Sequence, residues 1–349
     1  MSLEQTLTSA WTRNSRWLVL LIPLSWLFSG LINLRRRHLQ NKYQGRPYSA
    51  PVVIVGNISV GGSGKTPLII ALVKALKERG YRPGVVSRGY AGNASHYPLT
   101  VCSATAVSES GDEPLLIATL ADCPVVVDAN RPAAVDYLLN NSDCDLVLSD
   151  DGLQHYALHR DIELIVVDAQ RGLGNGRKLP AGPLREGSER LVQADLVVVN
   201  GQLANDDNLA VNDVQQMTIR PTGFRHLQSG RSQSIANWLE SQIVANNEVH
   251  GVAAIGNPQR FASTLTEIGL LVNLHSFDDH KTLSLDDLTF ADNLPVIITA
   301  KDAIKLRQSS LAGQGAAANI WVLDIEADID SALVDKLIVK LPALEANAD

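Results

Sequence analysis

Gly61-Gly62-Ser63-Gly64-Lys65-Thr66 sets an amine and a hydroxyl directly after a glycine-rich turn. Glycines let backbone N–H groups face phosphate oxygens, a lysine reaches the outer phosphates of a nucleotide, and a threonine hydroxyl can ligate Mg²⁺. Ser59 stands five positions before Gly64, where the usual phosphate-loop spacing has glycine, so the loop is a variant form. A glycine turn with an incidental lysine is the plainer alternative. Two acids, Asp150 and Asp151, end an apolar run, an arrangement that lets a carboxylate hold Mg²⁺ beside such a loop, or that simply solvates a turn. Asp112 opens a helical pattern and reads both as an N-cap and as a base for an attacking hydroxyl. Arg88 and Arg131 each follow an apolar run, where a strand-end arginine meets phosphate or forms a surface ion pair.

The elements needed to position these groups are legible. Pro51–Val55 suits a buried parallel strand and Leu68–Lys77 carries helical spacing, so the glycine turn lies between strand and helix. Strand patterns recur after Arg82, at Pro124–Asp128, after Asp145, at Ile162–Asp168 and at Leu196–Asn200. Between the last two, residues 170–186 form a glycine- and proline-rich loop with four cationic side chains, suited to an anionic substrate. Short β-like runs, Gln216–Ile219 and Gly223–Leu227, read as a connection between domains. Glu248–Ile255, Leu270–Phe277, Val296–Thr299 and Asn319–Leu323 then read as strands, with helices from Pro258, Leu285, Asp302 and Ile329. The expected class is α/β: a phosphate-loop domain with a mostly parallel sheet over 41–212, a connection over 213–230, and a smaller α/β/α domain over 231–349.

Residues 1–40 are expected to form a membrane-associated helix. No residue from Trp17 to Leu34 is charged, Arg13 and Arg16 precede the run, and Arg35-Arg36-Arg37-His38 follow it. Ser25, Ser29 and Asn33 fall at i, i+4 and i+8 as one thin polar stripe, while Leu20, Leu24, Leu27, Phe28 and Leu31 cover the rest. A helix lying in the bilayer interface, a single span and a buried core helix all fit this composition.

With 349 residues there is room for two cores, and a 45% hydrophobic content argues against disorder. The net charge of −7 argues against broad nucleic-acid binding. Cys102, Cys123 and Cys144, odd in number and without a Cys-x-x-Cys pair, read as reduced thiols. No obligate protein partner is evident.

Taken together, Val55-Gly-Asn-Ile-Ser-Val-Gly-Gly-Ser-Gly-Lys-Thr-Pro67, Ser87-Arg-Gly-Tyr, Gly111-Asp-Glu-Pro-Leu-Leu, Asp150-Asp-Gly-Leu-Gln-His-Tyr, Gly172-Leu-Gly-Asn-Gly-Arg and Leu179-Pro-Ala-Gly-Pro-Leu-Arg-Glu resemble the tetraacyldisaccharide 4′-kinases, the lipid A 4′-kinases of Gram-negative bacteria. Ile255-Gly-Asn-Pro-Gln-Arg-Phe, Phe277-Asp-Asp-His280 and Lys301-Asp-Ala-Ile-Lys-Leu extend the resemblance nearly end to end. Departures are small: Ser63 where threonine is common, and Ala91 and Ala300 for frequent glycine and glutamate.

The resemblance implies transfer of the γ-phosphoryl group of ATP to the 4′-hydroxyl of a tetraacylated disaccharide 1-phosphate at the cytoplasmic face of the inner membrane. Carried over by motif, Asp112 is the base, assisted across a cleft by His280, and Lys65 and Thr66 hold nucleotide and Mg²⁺. Asp151 joins Lys65 among the catalytic candidates. The loop residues Gly61 to Thr66, with Arg88 and Arg131, are the nucleotide contacts expected. Glu113 stands with Thr66, Asp150 and Asp151 as a candidate metal ligand, and Gln154, His155, Arg177 and Arg185 as candidate contacts to the lipid. The rival reading is a membrane-tethered switch ATPase with no lipid substrate. Val60 occupies the place where such loops usually carry a lysine.

Overall fold

The computed structural model describes residues 3–43, 47–202, 209, 211, 213–241, 246–279, 281–306 and 319–341. His280 lies outside them. The chain forms two compact units: the first comprises Met1–Arg88, Cys123–Thr218 and Asp328–Asp349, the second Gly89–Asp122 and Ile219–Ala327. This differs from contiguous domains meeting near 212, because residues 89–122 belong with the later half.

The chain begins with helix α1 (Leu3–Thr12), a 3-10 turn (Arg16–Leu21) and helix α2 (Ile22–Tyr43). The apolar run is therefore not one helix. Pro23 lacks an N–H and is tolerated only in a helix's first turn, so α2 restarts there. Strand β1 (Val52–Gly56), helix α3 (Lys65–Glu78) and strand β2 (Pro83–Ser87) follow. The excursion into the second unit carries β3 (Leu99–Val101), α4 (Val107–Ser110) and α5 (Asp112–Leu120). Back in the first unit come β4 (Val125–Val127), α6 (Arg131–Asn141), β5 (Leu146–Asp150), β6 (Ile162–Asp168), α7 (Glu189–Gln193), β7 (Leu196–Asn200) and the start of β8 (Val214–His226).

In the first unit the strand order is β8-β7-β6-β1-β5-β2-β4, with every pair parallel. Each residue of β1, β5, β6 and β7 is buried, which explains why they are apolar apart from Glu163 and their carboxyl ends: a parallel sheet covered on both faces has no solvent side to alternate toward. Register pairs Val55 with Asp150 on one side of β1 and with Leu164 on the other. The carboxyl ends of β1 and β5 thus finish level, so the glycine loop and the two acids leave the sheet together. Leu68, Ile69, Leu72, Val73 and Leu76 bury the inner face of α3, at about 1.5–3 kcal/mol for each large side chain removed from water.

The second unit continues with β9 (Ser232–Ser234), α8 (Ile235–Ser241), β10 (Glu248–Ala253), α9 (Pro258–Glu267), β11 (Leu271–Ser276), β12 (Val296–Thr299), α10 (Ala300–Leu306) and β13 (Ile320–Ile329), and the last helix, α11 (Ser331–Lys340), belongs to the first unit. The second unit's strand order is β11-β10-β12-β13-β8, with β9 antiparallel on β8. The β-like runs expected as the connection form one thirteen-residue strand, β8, despite Pro221. One expectation changes. The helix expected from Leu285 is a single 3-10 turn, Asp286–Leu288, opened by Ser284, whose backbone N–H and hydroxyl donate to Asp287 at 2.8 and 2.9 Å.

Candidate active site

The loop after β1 is organised from inside by Asn57, which is fully buried. Its amide donates to the carbonyl of Gly61 at 3.3 Å, and its Oδ1 accepts from Nζ of Lys65 at 3.2 Å. Asn200, the last residue of β7, donates to the Ser63 carbonyl at 3.1 Å. Gly61 and Gly64 have φ of +103° and +92°, a region closed to most side chains, and Gly64 caps α3. The loop therefore ends on a helix N-terminus, where unpaired N–H groups favour an anion. Asn57 was not singled out in the sequence. Its signal is an asparagine between strand and glycines, which has no packing reason to be buried.

Of the two acids, Asp150 is buried and accepts from the Ser87 hydroxyl at 3.0 Å. Asp151, at φ +47°, turns out toward Lys65 at 3.5 Å and Arg185 at 3.2 Å. Burial alone would raise the Asp151 carboxyl, but Lys65 and Arg185 outweigh it and hold the group below the usual carboxylate range. Among the described residues no cluster of three or more His, Cys, Asp or Glu gathers. The oxygens of Thr66, Asp150 and Asp151 still suit Mg²⁺, which takes one or two carboxylates and fills its remaining positions from phosphate and water.

Arg131 is placed differently from the strand-end phosphate contact expected of it. It is 2% exposed, and its guanidinium donates to the Val86 carbonyl at 2.9 Å, the Ser149 hydroxyl at 3.1 Å and the Asp150 carbonyl at 2.6 Å. Burial pushes its pKa down to about 10, with Asp150 and Asp151 opposing. It braces the ends of β2 and β5. Arg88, by contrast, is exposed just past β2.

The cationic loop is laced to the phosphate loop. Val60 N–H donates to the Pro183 carbonyl at 2.9 Å, and Arg185 N–H to the Ile58 carbonyl at 2.7 Å. Gln154 donates to Glu186 at 2.8 Å and accepts from Arg185 at 3.5 Å. Arg177 is half-buried, its N–H on Oδ1 of Asn175. His155 is pushed down to about 4, first by burial and then by the charges of Arg131, Arg160, Arg35 and Arg88.

Helix α2 docks on this same loop through its polar stripe. The Ser25 hydroxyl donates to the Lys178 carbonyl at 2.9 Å and accepts from Ala181 N–H at 3.0 Å. Ser29, Asn33 and Arg36 line one wall of a cleft that Lys178, Arg185 and Arg190 help to close. The apolar face points outward: Leu20, Trp26 and Leu34 are 80%, 72% and 68% exposed. Arg16–Leu39 is long and apolar enough to cross a membrane.

In the second unit Asp112 is the first residue of α5, with Gly111 in the capping position. The expected N-cap role is not taken. Instead its Oδ1 accepts from Glu113 N–H at 2.9 Å, and its Oδ2 lies 3.6 Å from Nζ of Lys301 and 3.7 Å from Nζ of Lys305. Glu113, expected as a metal ligand, pairs with Lys301 at 3.2 Å. Burial would lower Lys301, but Glu113, Asp112 and Asp279 together raise it. Lys305 also bonds the Lys281 carbonyl at 3.2 Å, and Lys301 lies 3.8 Å from Asp279. Both neighbours of position 280 are thus tied to the lysines that hold Asp112, within one unit. These lysines were missed as site residues. Their i, i+4 spacing on α10 was the available signal, since it puts two cations on one helix face.

The sequence profile described as Tetraacyldisaccharide-1-P 4'-kinase matches residues 17–342. The Tetraacyldisaccharide 4'-kinase of Hahella chejuensis is 42% identical over 343 residues, covering 97% of this chain and 96% of that one. That of Alcanivorax borkumensis is 43% identical, covering 97% of both. Among solved structures, LpxK from Aquifex aeolicus in complex with ATP is similar at a TM-score of 0.72 and 25% identity, covering 93% of this chain and 99% of that one. With a profile matched over nearly its whole length and relatives above 40% identity, this chain belongs to the tetraacyldisaccharide 4′-kinase family.

Proposed function

We propose that the chain transfers the γ-phosphoryl group of ATP to the 4′-hydroxyl of a tetraacyldisaccharide 1-phosphate, giving lipid IVA. The observation that carries this reading is the convergence on Lys65: Asn57 at 3.2 Å, Asp151 at 3.5 Å, and beyond Asp151 the cationic loop through Arg185. A lysine ammonium is thereby held at the mouth of a glycine loop, beside the acid that follows the neighbouring strand. Phosphoryl transfer asks little covalent chemistry of the protein and much positioning of charge, which is what these residues offer.

Gly61, Gly62, Ser63 and Gly64 cradle the phosphates by their N–H groups, Lys65 draws the outer phosphates, and exposed Arg88 adds a cation at the next strand end. Thr66 with Asp151 and Asp150 would hold Mg²⁺, which supplies positive charge against the outer phosphates. Asp112 takes the proton of the 4′-hydroxyl as that oxygen bonds to the γ-phosphorus; the bond to the bridging oxygen breaks, and ADP leaves with the electron pair. Lys301 and Lys305 fix the orientation of that carboxylate, and His280 assists it. Gln154, His155, Arg177 and Arg185 face the anionic lipid.

The outward apolar face of α2 supports attachment to a membrane surface, with the exposed Arg35 and Arg37 against anionic headgroups. Substrate then reaches the cleft beside Asn33 and Arg36 from the bilayer, at the cytoplasmic face of the inner membrane. The test is incubation with labelled ATP, Mg²⁺ and the lipid disaccharide, using wild type, Lys65→Ala and Asp112→Ala. Label in the lipid with wild type alone supports the reading. Lipid-independent hydrolysis with no labelled lipid would replace it with a switch ATPase.

A further inference from the structure

We propose that Arg171 is a phosphate-contacting residue of the transfer reaction, set against the phosphate loop so that its guanidinium meets the γ-phosphoryl group. The inference rests on the reading that this loop binds ATP. Three observations lead to it. Gly61 has φ +103°, and a side-chain carbon added there would collide with Nη1 of Arg171. The guanidinium thus occupies the volume that a Cβ would fill, directly on the loop backbone. Second, Arg171 is launched from a fixed point. Asp168, the last residue of β6, accepts from the N–H groups of Gln170 at 3.0 Å and Arg171 at 3.1 Å, and β6 pairs with β1, whose Gly56 lies opposite Ile165.

Third, Lys65 reaches the same end of the loop. Its ammonium bonds Oδ1 of Asn57, whose amide in turn bonds the carbonyl of Gly61. Two cations therefore bear on Gly61, one through Asn57 and one directly. A phosphate-loop lysine addresses the outer phosphates, so a guanidinium at its end of the loop addresses the terminal one. Charge spreads over the γ-phosphoryl oxygens as the bond to ADP loosens, and a planar fork of donors suits that group better than a point charge. Arg88, exposed past the end of β2, is a further cation for the same phosphates, while Arg131 braces strand ends and Arg185 pairs with Asp151. Arg171 is half-buried, so a bound nucleotide has access to it.

The experiment compares wild type, Arg171→Ala and Arg171→Lys in full-length enzyme for turnover with the lipid disaccharide, and for binding of ADP and of a non-hydrolysable ATP analogue. An arginine contacting the moving phosphoryl group is worth on the order of 10³-fold in turnover. We expect Arg171→Ala to lose at least 10²-fold in kcat and about tenfold in analogue affinity, with ADP affinity unchanged. Arg171→Lys should recover part of both losses and unfold at the wild-type temperature. Equal weakening of ADP and analogue, or turnover within about twofold of wild type in Arg171→Ala, would overturn the proposal. So would loss of turnover in Arg171→Lys that tracks loss of folded protein. Lys65→Ala separates the two levels: if it still binds both nucleotides as wild type does, the phosphate-loop reading fails and takes this inference with it.

Discussion

The Oδ2 of Asp112 on α5 and the Nζ of Lys305 on α10 lie 3.7 Å apart, both buried, and the same ammonium stands 3.5 Å from Oδ1 of Asp302. One cation thus serves two buried carboxylates of different elements. Asp302 is the deeper, at 0% exposure, and burial raises its carboxyl against the pull of Thr299 and Lys305. Removing the lysine leaves Asp302 without its cation and Asp112 with Lys301 alone. Lys305→Met should destabilise the second unit by about 3 kcal/mol, read by urea unfolding, and a further Asp302→Asn should return part of that. An unchanged midpoint in Lys305→Met would show that solvent already compensates these acids.

Lys65→Ala should lower phosphoryl transfer to the lipid by about 10²-fold or more, because no other side chain bonds both Asn57 and Asp151 among the described residues. The enzyme should remain folded, since the ammonium bonds the loop residues Asn57 and Asp151 and not the apolar side chains of the core. Labelled-lipid assays and circular dichroism on the same preparation check both halves.

His155 gives a pH dependence of defined sign. Its folded pKa is depressed to about 4 from 6.5, so below pH 6.5 the unfolded chain binds a proton that the folded chain refuses. Stability from this group is full above pH 6.5 and falls as pH drops toward 4. Thermal midpoints between pH 7 and 4 should fall less steeply for His155→Gln than for wild type. Identical slopes would mean that the imidazole protonates in place.

Helix α2 carries its apolar side outward, and Leu20, Leu24, Trp26, Leu27, Leu31 and Leu34 are each at least half exposed. Burying each in lipid gains about 2 kcal/mol, against a fraction of that for any one exposed ion pair. Trp26→Glu with Leu27→Glu and Leu31→Glu should abolish flotation with anionic vesicles and sharply reduce lipid phosphorylation, while ATP-analogue affinity stays as in wild type. Retained flotation would transfer the membrane contact to another surface.

Arg131→Met should destabilise by about 3 kcal/mol, because it leaves the Val86 and Asp150 carbonyls without their buried donor. If instead the variant keeps wild-type stability and loses only nucleotide affinity, the strand-end phosphate role expected from the sequence is correct after all.

Local chemistry was legible in the residues themselves. The strands of the first unit announced themselves as apolar runs because a doubly covered parallel sheet admits a polar residue only where it finds a partner, as at Glu163 and the strand ends. The glycine loop was legible because a turn with φ near +100° at Gly61 and Gly64 excludes ordinary side chains. The polar stripe of Ser25, Ser29 and Asn33 was visible as periodicity, but periodicity gives the spacing of a face and not its direction. Only the packing decided that Ser25 of this stripe turns inward onto Lys178 and Ala181 and leaves the leucines outside. The lysines around Asp112 were hidden for a similar reason. Residues 112 and 301 are 189 positions apart, and an ion pair at that separation leaves no trace in local pattern. The sequence by itself determined the elements, the phosphate loop and the acids that end its neighbouring strand, because those depend on backbone geometry within a few residues. Tertiary structure alone decided which charges meet, that Arg131 is a brace and Arg171 a neighbour of the loop, because Coulomb and packing energies depend on distance in space and not along the chain.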